Sequence, residues 1–91
     1  MALLLFEIWE DPEDKSFEMT AVSARGDVLR AQLSPSARLR HSFKAESDFD
    51  ALQKRWAWHG CGRWTPPAGC HERFYSEKDA ADQARYLAAR R

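Results

Sequence analysis

The chain has 91 residues, 44% hydrophobic and 31% charged, with eleven aromatic side chains, four of them tryptophan. This composition supports one hydrophobic core and excludes a disordered chain. A formal net charge of zero removes bulk electrostatic capture of nucleic acid or of an anionic membrane as a general mode of action. Charge is nevertheless segregated, because residues 1–18 hold six acids against Lys15 and residues 19–44 hold five bases against Asp27.

In residues 3–10, Leu4, Phe6 and Ile8 alternate with Leu3, Leu5 and Trp9, the two-residue period of a strand. Apolar side chains on both faces predict a central strand covered on both sides. Glu7 breaks the apolar run after six residues, no basic segment precedes it and no small-residue cleavage motif follows, so the start does not read as a secretory leader. No stretch has membrane-spanning length, and a cytoplasmic protein with cysteines as thiols is the expectation. Asp11-Pro12-Glu13-Asp14 is a turn with one φ fixed by proline. Residues 16–22 then direct Phe17, Met19 and Ala21 inward, which makes a hairpin.

Ser23 or Asp27 caps a short helix, expected to carry Val28, Leu29 and Leu33 on its inner side and to end at Ser34-Pro35-Ser36. Leu39, His41, Phe43 and Ala45 next alternate with Arg38, Arg40, Ser42 and Lys44. That predicts a third strand with a basic outer face, placed at a sheet edge where cations discourage pairing with a second copy. Ser47-Asp48-Phe49-Asp50 opens a helix that runs to His59, with Gly60 in the C′ position. Phe49, Leu52 and Trp56 form its expected core stripe, and Trp58 falls on the opposite side. Residues 60–75 are rich in Gly and Pro and read as irregular. Ser76-Glu77-Lys78-Asp79 caps a last helix, with Arg90 and Arg91 at its end matching the helix dipole. Its thin apolar face of Ala80, Ala84, Leu87 and Ala88 calls for a large neighbour, for which Trp58 and Trp64 are the candidates.

The succession is β-β-α-β-α-α. A right-handed crossover through the first helix places the third strand antiparallel to the first on its far side, giving a single α+β domain over residues 1–91 with strand order 2-1-3. Residues 1–75 are its core and residues 76–91 its C-terminal helix.

Three constellations could carry function. His59, Cys61, Cys70 and His71 are suitable zinc donors, but Cys70 and His71 are adjacent and point apart in extended chain, and Arg63 and Arg73 oppose a cation. The alternatives for these residues are an irregular loop with thiols or a Cys61–Cys70 crosslink formed on oxidation; a cysteine–histidine dyad lacks a base on a separate rigid element. The acids from Glu10 to Asp14 lack the spacing of a calcium loop and read as a solvated turn, so no catalytic residue is assigned and no cofactor is expected. Arg38, Arg40 and Lys44 with an exposed tryptophan would suit weak binding of a single-stranded nucleic acid, against the plainer reading of a cation-solvated edge. Trp58, Trp64 and Leu87 suit a protein interface or a symmetric homodimer, against the plainer reading that they cover one another.

The strand Phe6-Glu7-Ile8-Trp9-Glu10-Asp11, the helical segment Arg30-Ala31-Gln32-Leu33 and the Asp48–Pro66 stretch, a helix stopped by glycine and followed by tryptophan, resemble a group of small uncharacterised bacterial proteins. The resemblance covers roughly residues 5–67. It implies the same order of elements and no activity, so it assigns no residue a role. This chain differs in Cys61-Gly62-Arg63, which separate Gly60 from Trp64, and in its long C-terminal helix. The expected function is therefore a non-catalytic protein-interaction or regulatory module, possibly dimeric, with nucleic-acid binding and a zinc site as the alternatives.

Overall fold

The structure, a computed structural model, describes residues 1–90; Arg91, expected at the end of the last helix, lies outside them. The elements are β1 (Leu4–Asp11), β2 (Ser16–Ala21), α1 (Ala24–Arg30), β3 (Arg38–Ala45), α2 (Asp48–Trp58) and α3 (Glu77–Ala89). Both other strands pair antiparallel to β1, in the order β2-β1-β3. This is the α+β arrangement and strand order that the sequence predicts. Lys15 closes the β1–β2 hairpin at φ 56°, and buried Asp11 holds its base by accepting from the Ser34 N–H at 2.9 Å, from the Ser34 hydroxyl and from the Glu13 N–H at 3.1 Å.

The alternation of β1 divides the molecule in two. Phe6 and Ile8 face α2 in a core with Ala45 and Ala51, flanked by Leu4, Met19, Ala21, Phe43 and Tyr75. Glu7 and Trp9, on the opposite face, meet α1 and α3: the Arg30 guanidinium lies 4.8 Å over the Trp9 ring and Arg90 reaches Glu7 at 3.1 Å. Helices thus cover both faces of the sheet at β1, as a strand apolar on both sides requires.

α1, β3, α2 and α3 each depart from the expected orientation in one respect. Ser23 caps α1 by accepting from the Gly26 N–H, but Val28 is 62% exposed and Leu29 49%. The inward residue is Gly26, because a Cβ there would lie 2.5 Å from the Ala21 carbonyl oxygen. Backbone contact with β2 therefore fixes the rotation of α1 and leaves its leucine and valine outside. In β3, Ile8 pairs with His41 but Trp9 pairs with Leu39, so one extra residue, Arg40, forms a bulge. Leu39 is carried to the Trp9 face, where it is 46% exposed, instead of sharing a face with His41 and Phe43.

The stripe of α2 that meets the sheet is Ala51, Leu52, Arg55 and Trp58 and excludes Phe49 and Trp56, of which Trp56 is 41% exposed. Ala51 is fully buried, since only a small side chain lets the helix approach Phe6 and Ala45. Phe49 turns to the other side, against Trp64. Finally, α3 has neither Trp58 nor Trp64 as its neighbour and no buried residue. Ala84 and Ala88, expected on its inner face, are exposed. The helix docks on β1 through Gln83 and the following Arg90 and on α1 through Tyr86, which are polar and so fall outside an apolar count.

Candidate binding surface

The tryptophans are placed by opposite sides of α2. Trp58 stacks on His41 at 5.4 Å and 6° and meets the edges of Phe17 at 5.9 Å and His59 at 4.9 Å. His41 in turn stacks on Phe43 and Phe43 on Phe6, at 5.7 and 5.8 Å, an aromatic row across the sheet worth about 0.5–1.5 kcal/mol per pair beyond burial. Trp64 lies against the other flank, edge-on to Phe49 at 5.3 Å, with its N–H donating to Gln53 at 2.9 Å. Leu87 is half-buried in α3. Trp58, Trp64 and Leu87 therefore do not form one surface.

His59, Cys61, Cys70 and His71 are all exposed and both cysteines are free thiols. Among the described residues no three His, Cys, Asp or Glu side chains gather where they could hold a metal ion, so the chemistry of a four-donor set has no geometry behind it. Local bonds explain the loop instead. Trp56 donates its indole N–H to the Cys61 carbonyl at 2.8 Å, and the Ser47 hydroxyl donates to Glu72 where Ser47 bridges to Phe74.

The basic residues are divided by the bulge. Lys44 pairs with Leu5 and Arg38 with Glu10; residues directly opposite share a face, so Lys44 lies on the Glu7 side and Arg38 on the α2 side. Arg40 forms an ion pair with Glu10, and Arg38 approaches the same carboxylate at 3.6 Å. Arg38, Arg40 and Lys44 therefore flank an edge instead of lining one basic face, which corrects the expected stripe.

That edge is open. Val22 donates to the Leu5 carbonyl at 2.9 Å, so the odd residues of β1 bond toward β2 and the even ones toward β3. Ala45, Phe43 and His41 accordingly bond inward, while the backbone groups of Lys44 and Ser42 point away from the sheet. Lys54 donates to the Lys44 carbonyl at 2.7 Å; among the described residues nothing reaches the N–H or C=O of Ser42. By the same parity, β2 turns out the groups of Phe17, Met19 and Ala21. There Arg55 donates to the Phe17 carbonyl at 3.2 Å, and the Ala21 carbonyl is covered by Gly26 and the Ser23 hydroxyl. Both edges are thus covered toward an end and open in the middle, at Met19 of β2 and Ser42 of β3 among the described residues; they differ in charge, since Arg38, Arg40 and Lys44 stand along β3.

A second polar assembly fills the space between β1, α1 and α3. Arg90 donates to Glu7 and, at 3.2 Å, to Asp27; Arg30 pairs with Asp27 and lies 3.5 Å from Glu7; Tyr86 donates to Asp27; and the Trp9 indole donates to Glu7 at 3.2 Å. Burial pushes the Asp27 carboxyl up, but the bonds from Tyr86 and Arg30 and the charges of Arg30 and Arg90 outweigh it and hold the group below the usual aspartate range. Donating that bond to Asp27 raises the Tyr86 phenol, and Glu7 raises the Arg90 guanidinium. Two acids balance two bases, and no buried side-chain polar atom among the described residues lacks a partner, so the cluster is a lock that holds α3 and offers no free valence to a ligand. Its one sequence signal is Glu7, a charge set in an apolar strand. No described helix is long and apolar enough to cross a membrane. Compared with protein-family models, with curated proteins and with solved structures, the chain matches none.

Proposed function

We propose that this chain is a non-catalytic protein-interaction module that receives an extended segment of a partner protein on the free edge of β3. The observation that carries this reading is the unmet N–H and C=O of Ser42 on an edge flanked by Arg38, Arg40 and Lys44. A strand edge with unmet N–H and C=O groups is a template for another strand; Met19 leaves the middle of β2 open as Ser42 does that of β3, but only beside Ser42 do three cations, Arg38, Arg40 and Lys44, stand to select an occupant.

The partner is a different chain in this reading. Two-fold pairing of β3 about Ser42 would set each copy's Lys44 against the other's Arg40, and like charges directly opposite are destabilising. A direct test is selection of displayed random heptapeptides on the wild-type protein and on Ser42→Pro. The N–H removed points away from the β1 ladder, a position where proline is tolerated in an edge strand, so the variant keeps the fold. Peptides enriched by the wild type and lost on Ser42→Pro support the reading; no enrichment, or equal enrichment on both, overturns it.

A further inference from the structure

We propose that the segment received by β3 is acidic, about six residues long, and carries carboxylates toward both faces of the sheet. This rests on the edge-binding reading and names the partner's chemistry. A strand added beside β3 alternates its side chains between the faces. On one face it would meet Lys44 with the exposed Leu39, and on the other Arg38, 3.6 Å from Glu10 and 66% exposed, with Lys54, whose ammonium lies at the Lys44 carbonyl and 3.1 Å from Asp50. Cations therefore flank the edge on both sides, which matches neighbouring acids in an extended chain. A nucleic acid laid on either face of the sheet would meet only part of that set, because the bulge at Arg40 has separated Arg38 from Lys44. Lys44, which opposes Arg40 of a second copy, also attracts an acidic strand, so one residue serves both attraction and exclusion. Leu39, turned out by the bulge, adds one apolar contact and places an apolar residue among the partner's acids. The length follows from the reach of Leu39–Lys44 at about 3.4 Å per residue.

The test is fluorescence anisotropy with a labelled seven-residue peptide of glutamate and valine, its counterpart with lysine for glutamate, and a seven-nucleotide oligothymidylate, each at about 50 and about 300 mM salt. The acidic peptide is expected to bind saturably, with the lysine peptide at least ~10-fold weaker, as loss of charge-assisted contacts predicts. Ser42→Pro and Lys44→Glu should each weaken the acidic peptide by about 10-fold or more while circular dichroism and melting temperature report an intact fold. Backbone amide shifts on titration should centre on residues 39–44. Absence of saturable binding, equal affinity for the lysine peptide, or tighter binding of the oligonucleotide that Ser42→Pro leaves unchanged overturns the proposal. So does a dimer in sedimentation that Ser42→Pro abolishes, since the edge is then filled by a second copy. If displayed peptides lost on Ser42→Pro prove apolar or basic, the acidic assignment fails while edge binding stands; if Ser42→Pro affects no peptide, both fail.

Discussion

Gly26 sits where any side chain would collide with β2, and the collision would be with backbone, which cannot swing aside. Gly26→Ala must therefore push α1 off the strand by several tenths of an ångström, and chemical denaturation should show a loss of about 1–3 kcal/mol. A wild-type midpoint in that variant would mean that α1 is not held by this contact. Asp11 gives a second prediction at the same scale. The hydroxyl and N–H of Ser34 hold its carboxyl below the usual value near 3.8, and Asp27 is lowered as well. The unfolded chain then binds these protons more readily than the folded one, so the stability they contribute is full above the unfolded aspartate value. It is lost as pH falls through the lowered ones. Urea midpoints should stay level from neutral pH to about pH 5 and fall below about pH 4. Asp11→Asn should be less stable at neutral pH and lose less than the wild type on acidification. At this scale the sequence shows which residues are unusual, such as Glu7 in an apolar strand or Trp58 off its expected stripe, but not what meets them. The partners of Glu7 are Arg30 and Arg90, 23 and 83 positions away, and spacing carries no information about such pairs.

Gln83 closes the open end of the β1–β2 ladder. Its side-chain oxygen accepts from the Leu5 N–H at 2.7 Å, and its nitrogen donates to the Leu5 carbonyl at 2.9 Å and the Val22 carbonyl at 3.1 Å. Val22 donates to the Leu5 carbonyl, and the side-chain amide stands in for the other half of that rung, between the Leu5 N–H and the Val22 carbonyl. Gln83→Met keeps the length and removes all three bonds, leaving partly buried backbone groups without partners. It should lower stability by about 1–3 kcal/mol and speed amide exchange at Leu5 and through α3, whereas a surface glutamine would show neither effect. The elements themselves were legible because their signals are local: period-two alternation for the strands, Ser47 and Ser76 as caps, proline and glycine at the stops. Rotation of the helices was not. Ala51 buries itself on α2 because the sheet is close, and a moment computed from side-chain size favours Phe49 and Trp56 instead. The bulge at Arg40 was equally hidden, since alternation on each side of one inserted residue reads as alternation throughout.

For the whole molecule, part of the segregated charge of the sequence is paired across the sheet. β1 carries Glu7 and Glu10 into the middle of the sheet, and Arg30, Arg38, Arg40 and Arg90 converge on them from three other elements. Part of the neutral composition is thus matched by neutralisation at close range, and at the β3 edge Lys44 is the cation outside these pairs among the described residues. Glu10→Gln should release Arg38 and Arg40 and raise affinity for the acidic peptide by a few-fold at low salt, with the gain fading as salt screens exposed charge. An unchanged affinity would show that these arginines take no part. Partial legibility has the same origin here: sequence gives the charges, and only register brings Arg38 and Arg40 to one carboxylate.

The amide of Gln83 also sets an order of events in synthesis. The β1–β2 hairpin can pair its strands once residue 22 is available, but half of its outer rung waits for a residue 78 positions after Leu5, and a contact so distant in sequence forms late. A nascent or proteolytically shortened chain without α3 would hold a hairpin frayed at Leu5 and a Glu7 without Arg90. Completion of the first hairpin is therefore a checkpoint on arrival of the last helix. Until then the N-terminal strand remains open to premature pairing and to proteases.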